Sequence, residues 1–122
     1  MNTPIVRAVR GAITLSADTS EDIREGTIEL LQTILERNDL ERDDLVSIIF
    51  TVTHDLVSDF PAVAAREIGL ANVPLLCSQE IPVTGSMPRC VRVMIHCYAL
   101  PDRQIRHVYL RDARQLRLDL PE

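Results

Sequence analysis

The spacing of apolar and polar positions changes period several times along the chain, and each change marks an element. Residues 4–10, PIVRAVR, alternate imperfectly and are rich in β-branched side chains, which predicts a short strand ending at Gly11. From Thr19 onward the period becomes helical. Ile23, Ile28, Leu31, Ile34 and Leu35 form a stripe behind Thr19 or Ser20 as a cap and an acidic first turn. A helix is therefore predicted over residues 20–37, closed by Asn38–Asp39. The run LVSIIFTVT at 45–53 is almost continuously apolar and reads as a central strand. Asp59 is placed to cap a short helix with Pro61 near its first position, and Gly69 stops it. VPLLCSQ at 73–79 reads as a strand and PVTGSMP as a turn-rich loop. RCVRVMIHCYA at 89–99 is a long strand, RQIRHVYL at 103–110 a further one, and RDARQL a last helical turn.

The order β-α-β-α-β-β-β, without repeats or a linker, predicts one domain over residues 1–122. Its class is α+β, a mixed sheet with two main helices on one face. The uncovered face needs a partner, and symmetric self-association is the usual solution.

Composition narrows the function without naming it. With 122 residues the chain builds one real core and little more. No apolar run approaches the roughly 18–20 residues that span a bilayer. MNTPIVRAVRG lacks the apolar stretch of a signal peptide, so a cytoplasmic location is expected and no membrane partner. The three cysteines, Cys77, Cys90 and Cys97, fit neither a disulfide framework nor a zinc spacing and are read as reduced thiols. A net charge of −5 argues against nucleic-acid binding. All 13 basic residues are arginine, and five of them, Arg103, Arg106, Arg111, Arg114 and Arg117, crowd the C-terminal fifth. A local arginine cluster in an acidic chain suits a small anion better than a polyanion.

Strand alternation sharpens the question of which arginines matter. In the 89–99 strand Cys90, Arg92, Met94 and His96 share one face, while Val91, Val93, Ile95 and Cys97 share the other. Both faces are mostly apolar, so Arg92 is the anomaly. It either snorkels to water, pairs with an internal carboxylate, or waits for an anion from outside. Glu80 is the nearest carboxylate upstream. Arg7 and Arg10 face opposite ways on the first strand, and Arg10 sits where side chains enter clefts. Tyr109 in RHVYL fits a buried ring with a polar tip. His54, His96 and His107 show no ligand spacing, and there is no Gly-rich phosphate loop or Ser-centred nucleophile motif, so no metal or cofactor is expected. Cys77 has no histidine beside it to activate it.

Taken together, VRGAITL, FTVTHDL, FPAVAARE, VPLLCSQE, PRCVRVM and RQIRHVYLRDARQLRLDL resemble the monofunctional, trimeric chorismate mutases of the pseudo-α/β-barrel type. The resemblance covers nearly the whole chain in the right order. It implies an isomerase converting chorismate to prephenate on the route to phenylalanine and tyrosine. It also implies a homotrimer with its sites between subunits. By motif, Arg10 would pair with a substrate carboxylate, and Arg92 would donate to the ether oxygen and a carboxylate. Glu80 and the Cys77 region would contact the ring hydroxyl, and Tyr109 would hold a carboxylate. Leu76, Cys77, Ser78, Gln79 and Glu80 would line the site. Phe60, Arg66, Leu116 and Arg117 would form a wall and entrance from the neighbour. Val63 stands where some relatives carry a basic residue, so that entrance charge is missing. The tail beyond Arg117 leaves room for only a brief lid.

The implied rearrangement is a unimolecular pericyclic shift that breaks one C–O bond as one C–C bond forms. It needs no nucleophile, cofactor or obligatory proton transfer. What a protein supplies is a shaped cleft and a fixed positive charge beside the ether oxygen. On this reading the counter-charge that Arg92 lacks is the substrate. Two alternatives explain Arg92 alone: a trimeric imine or enamine deaminase, and a non-catalytic sensor of an anionic metabolite.

Overall fold

In the computed structural model, which describes residues 3–118, five strands follow one another along the chain. They are β1 (Ile5–Thr14), β2 (Leu45–Val52), β3 (Leu75–Gln79), β4 (Cys90–Ala99) and β5 (Val108–Leu110). They lie side by side in the order β3-β2-β4-β1-β5. β4 is antiparallel to both β1 and β2, whereas β3 runs parallel to β2 and β5 parallel to β1. The helices α1 (Ser20–Arg37) and α2 (Ala62–Glu67) cover one face, as the α+β prediction required.

The core forms where the helices meet the sheet. Val9 and Ile13 on β1, Ile48 and Phe50 on β2, Val91 and Ile95 on β4, and Val108 on β5 are all fully buried with Ile23, Leu30, Leu31 and Ile34 of α1. Each large side chain buried this way stabilises the fold by roughly 1.5–3 kcal/mol against exposure. Leu30 lies at the centre of the helical stripe, while the predicted Ile28 is only half-buried. Thr19 caps α1, its hydroxyl accepting from Asp22 N–H at 3.0 Å. Asp59 does not cap α2: Pro61 is its N-cap, with no side-chain cap, and Asp59 instead accepts from the Ser20 hydroxyl and the Phe60 N–H.

Two boundaries differ from the sequence pattern for reasons of packing. β1 does not end at Gly11 but continues to Thr14. A Cβ on Gly11 would lie 2.8 Å from Ile34 Cδ1 and 2.8 Å from the Val108 carbonyl oxygen, so this glycine permits close approach of β5 and α1. β5 is three residues long, not eight. Part of the segment before it takes its hydrogen bonds from side chains. Asn38 accepts from Arg106 N–H at 2.7 Å and donates to Arg106 C=O at 2.9 Å. The Arg7 guanidinium donates to the carbonyls of Leu100, Pro101 and Arg103. These backbone groups are thus satisfied without a ladder. The chain then closes in a 3₁₀ segment, Arg111–Arg117; the tail beyond it, expected to form at most a brief lid, lies mostly outside the described residues.

Candidate active site

The face opposite the helices carries the unusual chemistry. Because β4 sends Val91, Val93, Ile95 and Cys97 into the core, Arg92, Met94 and His96 project the other way, as predicted. Register then adds neighbours to them: Thr51 and Ala12 flank Arg92, and Ile49 and Arg10 flank Met94. The result is a hollow of about 290 Å³ in which Arg10 and Arg92 stand among Ile49, Thr51, Met94 and His96. Arg7, three residues from Arg10, lies on the opposite face and serves the backbone.

Glu80 completes this cluster. It follows β3 directly, and its N–H donates to the Val52 carbonyl at 2.8 Å, extending the β2–β3 ladder. Its Oε2 accepts from the Thr51 hydroxyl at 2.6 Å and lies 3.1 Å from Arg92 Nε. The expectation that Arg92 has no counter-charge within the protein is therefore corrected: alternation and register bring an acid from a different strand to it. The contact is close but not a directed hydrogen bond, since Arg92 Nε is buried and its N–H finds no acceptor. Distance and direction disagree here, and direction decides what the guanidinium can still donate. Two guanidiniums against one carboxylate leave this hollow net positive.

Cys90 is fully buried next to Arg92 on β4. Burial pushes its thiol up to about 11, with the Arg92 charge opposing, so it stays protonated and supplies no thiolate nucleophile. Tyr109 on β5 stands opposite Ala12, and its ring packs with Cys90, Met87, Ala113 and Leu116. Its hydroxyl is buried without a partner. Such a group costs about 1–3 kcal/mol and calls for an acceptor or donor from outside the chain. Beside it the Arg10 N–H donates to His107 Nδ1 at 3.0 Å, which sets the ring as neutral with Nδ1 the acceptor. Burial first, then the charges of Arg117 and Arg10, holds the His107 pKa below its ordinary value.

The remaining expected residues divide between two edges of the sheet. Leu76 and Ser78 point to the open face, paired with Ile49 and Thr51. Cys77 points the other way, opposite Phe50, and packs against the core. With Phe60, Pro61 and Gln79 it lines a second hollow of about 370 Å³ near the β3 edge. Within one chain, then, Cys77 and Glu80 do not share a hollow; three residues apart on an extended segment, they face opposite sides. Phe60 is 68% exposed there, an unusual state for an aromatic ring. Arg66 is exposed on α2; the Asp59 carboxyl is held low first by the Ser20 hydroxyl, then by the Phe60 N–H, with the Arg66 charge adding a smaller part. Leu116 and Arg117 lie instead by β5, against Tyr109 and His107. The four residues expected as one wall thus sit at opposite edges of the sheet.

Thr51 and His107 were not singled out by sequence as contributors to this cluster. Ser47 and Thr51 are the two hydroxyls in an otherwise apolar strand, and their spacing by four puts them on the face of Arg92. That pattern was readable. The link from His107 to Arg10 spans 97 positions and was not. Among the described residues no group of three His, Cys, Asp or Glu is arranged to hold a metal, and no helix is long and apolar enough to cross a membrane.

Comparison with known proteins places this geometry. Residues 6–120 match the family model described as chorismate mutase type I. A curated relative, the chorismate mutase AroH of Thermus thermophilus, is 51% identical over 118 residues, which is 95% of this chain and 97% of the relative. The chorismate mutase AroH of Bacillus subtilis (strain 168) is 43% identical over 118 residues, 95% of this chain and 93% of the relative. Among solved structures, a chorismate mutase from Clostridium thermocellum superposes with a TM-score of 0.84 at 46% identity, covering 89% of this chain and 98% of that one.

Proposed function

Because the chain belongs to the chorismate mutase type I family and is an isomerase of that class, we propose that its positive hollow is where chorismate rearranges to prephenate, on the route to phenylalanine and tyrosine. The observation that carries the reading is Arg92: a half-buried guanidinium, held still by strand packing, whose Nε–H has no acceptor. As the C–O bond of the substrate breaks, negative charge grows on the ether oxygen. A fixed donor in a partly desolvated site stabilises that charge more than water does, because nothing has to reorganise. Arg10, on the same face and exposed, binds a carboxylate of the dianion, and the unpartnered Tyr109 hydroxyl donates to a carboxylate as well. Glu80 faces the ring hydroxyl. Holding the two reacting ends together removes much of the entropic barrier.

The second hollow belongs in this reading as a wall supplied by another chain. Cys77 faces the other side of the sheet from Arg92, and the exposed Phe60 ring lines the same hollow as Cys77 at the β3 edge. In a homotrimer with sites between subunits, the open sheet face of one chain meets the Phe60–Cys77 edge of the next. This arrangement covers both the unprotected face and the exposed ring. It excludes water from the guanidinium and so strengthens its effect.

The test is direct. Incubated with chorismate, the protein is expected to abolish the conjugated-diene absorbance of the substrate with saturable kinetics. Saturable binding without turnover would favour a sensor of an anionic metabolite, and ammonia release from imine substrates in place of diene loss would favour a deaminase. Light scattering that reports a single chain at catalytic concentrations would remove the intersubunit part of the reading.

A further inference from the structure

The mechanism asks Arg92 to satisfy two opposed conditions. The guanidinium must be neutralised well enough to sit half-buried, yet its N–H groups must stay available. A bidentate pair with Glu80 would meet the first condition and defeat the second. Thr51 stands where this conflict is settled. It is directly opposite Arg92 across the β2–β4 pair, and its hydroxyl donates to Glu80 Oε2 at 2.6 Å. The same oxygen lies 3.1 Å from Arg92 Nε, whose N–H nevertheless has no acceptor. The hydroxyl occupies the carboxylate, so the carboxylate does not turn onto the guanidinium. The Glu80 main chain is already tied to Val52, which leaves only side-chain torsions free.

Resting on the chorismate mutase reading above, we propose that Thr51 is a positioning residue for the rearrangement: its hydroxyl holds the Glu80 carboxylate beside Arg92 as a counter-charge while leaving the guanidinium donors open to the substrate. Thr51 acts through Glu80 and Arg92 and need not touch the reacting atoms. Without that hydroxyl, Oε2 turns to the nearest strong donor, which is Arg92 itself, and the ion pair becomes a directed one. The effect falls on turnover more than on affinity, because the contact between Arg92 and the ether oxygen strengthens only as charge develops.

Two substitutions separate the hydroxyl from the shape. Thr51→Val keeps the β-branch and deletes the donor; Thr51→Ser keeps the donor and deletes a methyl. Thr51→Val is expected to lower kcat about tenfold with KM changed by less than about twofold, and Thr51→Ser to restore most of that turnover. In a Glu80→Gln background, itself impaired, adding Thr51→Val is expected to cost less than about twofold more, since both changes act through one carboxylate. A crystal structure of the Thr51→Val enzyme is expected to show Glu80 hydrogen-bonded to Arg92. Equal losses in the Val and Ser variants overturn the role of Thr51. So does wild-type turnover in Thr51→Val beside an impaired Glu80→Gln, and both results leave the mutase reading standing. Full turnover in Glu80→Gln overturns the assignment of Glu80 and this inference together.

Discussion

On the proposed mechanism, replacing Arg92 by alanine removes the donor that meets the breaking C–O bond, and the structure separates the catalytic from the structural worth of that side chain. Loss of one preorganised donor in a site of this kind costs about 3–4 kcal/mol of transition-state stabilisation, or roughly 10²–10³ in kcat. The cost to the fold is far smaller. The Arg92 and Glu80 side chains are 32% and 20% exposed, and their contact is not a directed hydrogen bond. Solvent screening puts such a pair near about 0–1 kcal/mol, and Glu80 keeps its Thr51 partner when the arginine is gone. Arg92→Ala should therefore lose at least a hundredfold in turnover, about 10² by the same reckoning, while its melting temperature falls by only a few degrees. Arg92→Lys keeps the charge but loses the planar fork, so most activity should still be missing. Steady-state rates of diene loss at saturating chorismate, on protein matched to the parent in size and melting curve, measure the effect. Turnover within about threefold of the parent, a difference of well under 1 kcal/mol, would refute the placement of the developing charge at Arg92.

Other expectations probe the surroundings of that arginine. Arg117, beside His107 at the β5 edge, should act in binding: Arg117→Ala raises KM with kcat little changed, and an equal fall in kcat and kcat/KM would move Arg117 to the reacting centre. His107 is neutral in the fold with its pKa held low, so it binds its proton more readily in the unfolded chain. Its stabilising contribution is fully present above the unfolded value of about 6.5 and is lost as the pH falls toward the folded value. Melting curves of the parent and His107→Asn should therefore converge on acidification, and parallel curves would disprove the linkage. Gly11→Ala places a Cβ against Ile34 and the Val108 carbonyl, so it should destabilise the fold by about 1–3 kcal/mol. Denaturant titration with a midpoint unchanged from the parent would show that β5 has room to move.

Much of the architecture is legible in the order of residues because period and punctuation are local. The 3.6-residue stripe behind Thr19 places α1 from Ser20 to Arg37 in the structure as it does on paper. Alternation in β4 separates Arg92 from the core residues either side of it without any knowledge of the partner strands. Gly11 shows the limit of local reading: the same glycine that punctuates a turn elsewhere here admits Ile34 and Val108, which are distant in sequence. Asn38 and Arg7 likewise replace part of a predicted strand with side-chain hydrogen bonds over long separations.

The chemistry divides along the same line. Which side chains a strand turns outward is a property of the strand, so Arg10 and Arg92 declare themselves in the sequence. Which side chains then meet depends on strand order and register, and these are settled by burial of the whole apolar face at once. Only the folded sheet brings Glu80 under the Thr51 hydroxyl and beside Arg92, sets His107 against the Arg10 backbone, and sends Cys77 across to Phe60. An alternating pattern names the face of a residue, whereas its partners are chosen by the packing of elements that the pattern does not connect.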